Sequence, residues 1–164
     1  DRFGADRGVH RGRPLDDGPA LKPQERHFTA RYRSMMVRDQ KDVAAALKSG
    51  SAQIADARSG TRFRGEEPEP RPGVVPGHMP GARNVHYASL LNADGTMKSP
   101  GELATVFRAA GIDESKPVVT SCGSGVTAAI LTLGLERIGA KDHALYDGSW
   151  TEWGASGRAV EVGN

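Results

Sequence analysis

The sequence has one cysteine in 164 residues. A single thiol excludes an internal disulfide framework and any cysteine-rich zinc site. No window approaches the roughly 18 apolar residues that a membrane-spanning helix needs, so such a span is excluded. The net charge is only +2 at pH 7, which gives no electrostatic reason to expect nucleic acid. Hydrophobic residues are lean at 37%, though still within the range of a soluble globular chain. No internal repeat is present. The chain begins with Asp1 rather than Met and has no apolar stretch resembling a signal peptide. It reads as a fragment or processed product, expected in the cytoplasm, or in mitochondria for a eukaryotic protein.

Glycine (21) and proline (10) are plentiful, enough to expect long ordered loops around one domain-sized core. Residues 1–27 read as a linker-like tail, broken by Gly4, Gly8, Gly12, Pro14, Gly18, Pro19 and Pro23 with few periodic apolar residues. Through residue 35, eight Lys/Arg stand against five Asp/Glu. Acids are interleaved and no aromatic platform is present, so a solvated linker is favoured over a nucleic-acid arm. The domain is expected over 28–158, with a short tail over 159–164.

Within it, Phe28–Arg33 alternates well enough for an edge strand. Val37–Leu47 has near-helical apolar spacing, and Gly50 can end that helix. Ala52–Ala57 is a short apolar run, read as a buried strand. Thr61–Gly81 is a long proline-rich loop, and loops of that length are commonly functional. Asn84–Tyr87 reads as another short strand. Ser99-Pro100-Gly101-Glu102 is a helix start, with proline in the first turn. Lys116–Ser121 reads as a buried strand, Gly125–Gly139 as a helix, Ala144–Tyr146 as a strand and Trp150–Ala155 as a short helix. Strands alternating with helices imply an α/β fold, with a mostly parallel sheet covered by helices on both faces.

The lone cysteine, Cys122, falls where the β-branched strand stops and a glycine-rich turn leads into a helix: Cys122-Gly123-Ser124-Gly125-Val126-Thr127-Ala128. In an open α/β sheet, ligands bind at the C-terminal ends of strands. Free N–H groups at the next helix start lower a thiol pKa. Gly123 and Gly125 permit a tight backbone nest for an anion, and Ser124 and Thr127 add hydroxyl donors. The local string suits a sulfur nucleophile; a buried structural cysteine beside a glycine-rich turn is the competing reading.

The string from Cys122 to Ala128 is similar to the active-site loop of rhodanese-like sulfurtransferases. Its Gly-Ser after the cysteine resembles the mercaptopyruvate branch rather than the thiosulfate branch, which typically carries Arg and Lys there. Further segments match in order: Asp56-Ala57-Arg58 with the loop Arg62 to Arg71, Gly77 to Val85, and Tyr146 to Trp153. The likeness covers about residues 26–156 and resembles the C-terminal catalytic domain of a tandem-domain enzyme. It implies a rhodanese-like three-layer fold, and Cys122 as a nucleophile that carries sulfur as a persulfide. It also implies that Arg62 and Arg71 grip a substrate carboxylate, and that the loop residues Gly123, Gly125, Val126 and Thr127 contact substrate. Ser124 would bond the substrate carbonyl or a proton relay whose other members lie in an N-terminal domain. Asp56 and His78 would brace the site from behind.

Without the resemblance, Arg62 and Arg71 read as surface partners of Glu66, Glu67 or Glu69. The other histidines, His10, His27, His86 and His143, read as surface or loop residues. No metal and no cofactor is expected, because no His or Cys accompanies those acids. The expected partners are a small sulfur donor, a thiol acceptor such as thioredoxin or a small thiol, and an N-terminal rhodanese-like domain; neither nucleic acid nor membrane is expected. Thiosulfate is the alternative donor. A cysteine phosphatase would need an arginine six residues after the cysteine, where this chain has Ala128. A non-catalytic rhodanese-like module commonly lacks the cysteine altogether.

Overall fold

The computed structural model describes residues 18–19 and 24–163. Most of the linker-like tail expected over 1–27 therefore lies outside the described residues. The chain divides into two units, residues 1–32 and 33–164. In the first unit, residues 24–32 form neither helix nor strand, and Phe28 and Tyr32 are exposed. The edge strand expected over Phe28–Arg33 does not form. Two-residue alternation creates no strand unless a neighbouring backbone supplies the ladder.

The second unit is built on five parallel strands. They are β1 (Val37–Arg38), β2 (Gln53–Asp56), β3 (Arg83–Asn84), β4 (Val118–Ser121) and β5 (His143–Tyr146). Their order in space is β1-β5-β4-β2-β3, and every pairing is parallel. The helices are α1 (Gln40–Ser49), α2 (Gly60–Phe63), α3 (Pro100–Ala109), α4 (Ala128–Arg137) and α5 (Ser149–Trp153). The three-layer α/β architecture expected from the sequence is the one observed.

Local chemistry sets the helix boundaries. Asp39 and Asp42 form a reciprocal capping box at the start of α1, and Gly50 ends it in the left-handed conformation at φ 66°. Val37, expected inside that helix, instead pairs with Leu145 as the edge strand β1. Ser99 and Glu102 form a second capping box, with Pro100 opening α3. The strand expected from Asn84 to Tyr87 is shorter and earlier, and Tyr87–Leu90 is a 3-10 turn. The long loop expected from Thr61 contains α2 at its start.

Strand β4 lies at the centre of the sheet, and all four of its residues are buried. Its side chains alternate between two cores, as a pleated strand requires. Val118 packs with Leu103, Phe107, Leu131 and Leu135 from α3 and α4. Val119 packs on the other face with Val43 of α1 and with Trp150 and Trp153 of α5. Two-sided burial explains the uninterrupted apolar run in the sequence. It also fixes where the chain emerges from β4, because the strand cannot slide without exposing one core.

The segment expected as a C-terminal tail is tied down. Glu161 and His78 exchange both backbone hydrogen bonds, at 2.8 and 2.9 Å, and the Gly163 N–H donates to the Arg64 carbonyl at 2.9 Å. Val160 packs against the Trp150 core.

Candidate active site

Cys122 follows the last residue of β4 and is 2% exposed. The chain then turns through Gly123–Thr127 before α4 begins at Ala128, three residues later than the sequence suggests. Gly125 has φ 82°, and a Cβ there would lie 3.0 Å from the Asp147 carbonyl oxygen. Only glycine fits both the conformation and the space.

The sulfur sits in a cradle of donors. The Ser124 N–H points at Cys122 Sγ at 3.4 Å. Burial pushes the thiol up, but the Thr127 hydroxyl and the N–H groups of Ser124, Ala128 and Thr127 together bring it below the ordinary thiol value. Not every amide of the turn faces the sulfur. The N–H groups of Cys122 and Gly125 donate to Ser149 Oγ at 3.1 and 3.0 Å, and that hydroxyl donates to the Tyr146 carbonyl at 2.8 Å. Gly125 therefore contributes its conformation rather than an anion-binding N–H. The Ser124 and Val126 side chains are exposed on the crest, and Gly123 and Thr127 are partly buried.

The start of α5 clamps the other side of the loop. The Trp150 N–H donates to the Cys122 carbonyl at 2.9 Å. Both the Thr151 N–H and its hydroxyl donate to the Gly123 carbonyl, at 3.0 and 2.5 Å. Ser149 pays for this wrap with a positive φ of 50°, unusual for a residue with a Cβ.

A buried chain of charges approaches from β2. Arg58 is 2% exposed and meets the fully buried Asp56 through Nε and Nη2. Its Nη1 donates to Glu69 Oε1 at 2.9 Å, and its guanidinium lies 4.5 Å from the Trp150 ring centre. Glu69 turns its other oxygen to Arg62 Nη2 at 2.5 Å. Arg62 in turn lies against Gly123, where a Cβ would sit 3.1 Å from Nη2. Arg71 reaches the same residue by a different route, donating from Nη1 to Thr151 Oγ1 at 2.5 Å. Arg64, between them in the chain, pairs with Glu66.

His78 is buried, stacks on Phe63 with ring centres 3.8 Å apart, and bonds the Phe63 carbonyl through Nδ1 at 2.9 Å. Through Phe63 it braces the segment that carries Arg62. Asp56 likewise acts through Arg58. Nothing in the sequence alone singles out Arg58, Glu69, Ser149 or Thr151 as parts of this site. Glu69 was visible as an acid between two arginines, but nothing in the string distinguished it from Glu66 and Glu67. A separate cavity of about 740 Å³, lined by Val37, Ala45, Pro117, Val119 and Ala144, opens where β4 and β5 begin. That is the end of the sheet opposite Cys122, and its lining does not include the cysteine.

A buried cysteine facing amides and a hydroxyl at the C-terminal end of the central strand of a parallel sheet, with two arginines beside its turn, defines an α/β protein built around a cysteine-bearing loop. The chain belongs to the rhodanese-like family, whose rhodanese-like domain model matches residues 39–156. It is 40% identical over 149 residues to a 3-mercaptopyruvate sulfurtransferase of Homo sapiens, covering 91% of this chain and 50% of the relative. A thiosulfate sulfurtransferase of Rattus norvegicus is 36% identical over 143 residues, covering 87% of this chain and 48% of its own length. The crystal structure of SseA from Escherichia coli, a 3-mercaptopyruvate sulfotransferase, matches with a TM-score of 0.72 and 38% identity, over 88% of this chain and 53% of that one. The chain thus spans about half the length of the curated relatives it matches.

Proposed function

We propose that this chain is the cysteine-bearing part of a sulfurtransferase that takes sulfane sulfur from 3-mercaptopyruvate. The observation that carries this reading is the Cys122 sulfur facing the Thr127 hydroxyl and three N–H groups, with its thiol brought below the ordinary value. In the first step the Cys122 thiolate attacks the donor sulfur. An S–S bond forms, the donor's C–S bond breaks, and its electron pair leaves on carbon as the enolate of pyruvate. That carbon then takes a proton, giving pyruvate and an enzyme persulfide. In the second step a thiol or cyanide attacks the outer sulfur, and the S–S electron pair returns to Cys122. Donors aimed at the sulfur stabilise the anionic persulfide without a metal.

Arg62 and Arg71 supply the positive charge for a 2-oxo acid, with Ser124 on the exposed crest to meet its carbonyl. Thiosulfate is the second reading, supported by the rat relative. The neutral Gly123-Ser124 pair adds no positive charge to the loop, which disfavours a dianion more than a donor with one carboxylate. A thiol acceptor such as thioredoxin or a small thiol, and an N-terminal rhodanese-like domain closing over the loop, complete the proposal. The further domain is supported by the matched relatives being about twice as long as the matched region. Intact mass after exposure to 3-mercaptopyruvate should show one added sulfur, lost on treatment with a thiol and absent in Cys122→Ser. Sulfur uptake that survives the substitution sinks the reading.

A further inference from the structure

Arg62 and Arg71 flank the cysteine loop but are held there by different chemistry. Arg62 joins a set of two cations and two anions whose other members, Asp56, Arg58 and Glu69, have buried side chains. The set carries no net charge, and Glu69 already occupies the Arg62 guanidinium. Arg71 is exposed, and no ion pair to a carboxylate is found for it among the described residues. Its hydrogen-bond partner is the neutral Thr151 hydroxyl, at 2.5 Å.

The direction of that bond is fixed. A hydroxyl has one proton, and the Thr151 proton goes to the Gly123 carbonyl at 2.5 Å, so its lone pairs face Arg71. The Thr151 backbone N–H binds the same carbonyl at 3.0 Å, which locks the residue to the loop. A long arginine otherwise spreads over many rotamers, and holding one beforehand lowers the ordering cost when an anion binds. We infer that Thr151 is a specificity-determining positioning residue: its hydroxyl holds the uncompensated Arg71 guanidinium beside the Cys122 loop, so that reagents carrying a carboxylate are favoured over neutral ones of the same shape. This rests on the sulfurtransferase reading only for the identity of the natural donor.

The test compares alkylation of Cys122 by iodoacetate and by iodoacetamide. In both, the thiolate forms an S–C bond and iodide leaves with the electron pair; the reagents differ in a carboxylate against an amide. Thr151→Val should lower the iodoacetate-to-iodoacetamide rate ratio about three- to fivefold, the scale of a single exposed charge contact. Arg71→Ala should lower it at least as far, and Thr151→Ser should restore it. Thr151→Ala serves as the second hydroxyl-free variant if the valine fails to fold. A ratio unmoved in the hydroxyl-free variants, or both reagents slowed equally, overturns the inference. The KM for 3-mercaptopyruvate should rise by the same factor with little change in kcat. A fallen ratio in a protein that takes no sulfur from 3-mercaptopyruvate would uphold Thr151 and reject that donor. Sulfur uptake with an unmoved ratio would do the reverse.

Discussion

Glu69 holds Arg62 against the cysteine turn: the two side chains meet at 2.5 Å, with the Glu69 carboxylate only 4% exposed. The same carboxylate binds Arg58 at 2.9 Å, so one acid from a proline-rich loop ties the end of β2 to the turn after β4. Removing one member of a buried ion pair leaves its partners uncompensated, at a cost of about 3–5 kcal/mol. Arg58 retains Asp56, and Arg62 is 28% exposed and can rehydrate, so the lower end applies.

Glu69→Gln should therefore lower unfolding stability by about 3 kcal/mol and release Arg62 from Gly123. Urea denaturation gives the first quantity. An unchanged midpoint would show that the ladder contributes nothing net.

The depressed Cys122 thiol makes a pH prediction. Its rate of alkylation by iodoacetamide should rise with pH to a midpoint below that of a free cysteine thiol under the same conditions. Thr127→Val removes the side-chain donor and should move that midpoint upward. The linkage has the carboxylate sign: a folded pKa below the unfolded one contributes stability that is present above the unfolded value and lost as pH falls through the folded value. An unshifted midpoint in Thr127→Val would mean that the backbone amides alone hold the thiolate.

Ser149→Ala removes the acceptor of two buried N–H groups, those of Cys122 and Gly125. Unsatisfied buried donors cost about 1–3 kcal/mol each. Ser149→Gly removes the same acceptor but relieves the positive φ of 50°, and should be the milder change by about 1 kcal/mol. Faster hydrogen exchange at the Cys122 and Gly125 amides is expected in both. Equal stability of the two variants would deny the backbone strain.

Replacing Gly123 with Arg and Ser124 with Lys should move donor preference from 3-mercaptopyruvate toward thiosulfate. The two changes are unequal. Any Cβ at 123 meets Arg62 Nη2 at 3.1 Å, so Gly123→Arg must also displace Arg62. Ser124 is exposed, and Ser124→Lys adds charge without a clash. The ratio of kcat/KM for the two donors should shift with Ser124→Lys alone, and an unchanged ratio would remove the loop from donor choice.

Much of this protein was legible in the sequence because the determining physics is local. The helix start at Ser99–Glu102 needs residues only three apart. The buried run at Val118–Ser121 marks a strand covered on both faces. The turn after Cys122 announces itself by glycines that a strand-to-helix bend requires. The elements misread were those that local pattern cannot settle. Phe28–Arg33 alternates without finding a strand to pair with, and Val37–Arg38 is a strand only because β5 lies beside it. The end of the chain is held because the His78 backbone offers a partner to Glu161.

The sequence by itself determined the place of Cys122 at the end of a buried strand and the glycine-rich turn that follows it, since both depend on residue types within a short span; Arg62 and Arg71 stood out from their acidic neighbours only through the family resemblance. Only the tertiary structure decided what holds them. Glu69 is one of three acids in a loop until burial against Arg58 separates it from the others. Thr151 lies 29 positions from Cys122 and gains a role only because α5 packs its first turn onto the Gly123 carbonyl. Hydrogen bonds and ion pairs of this kind depend on distance in space, and distance in space is set by the packing of β2, β4 and α5 around two shared cores.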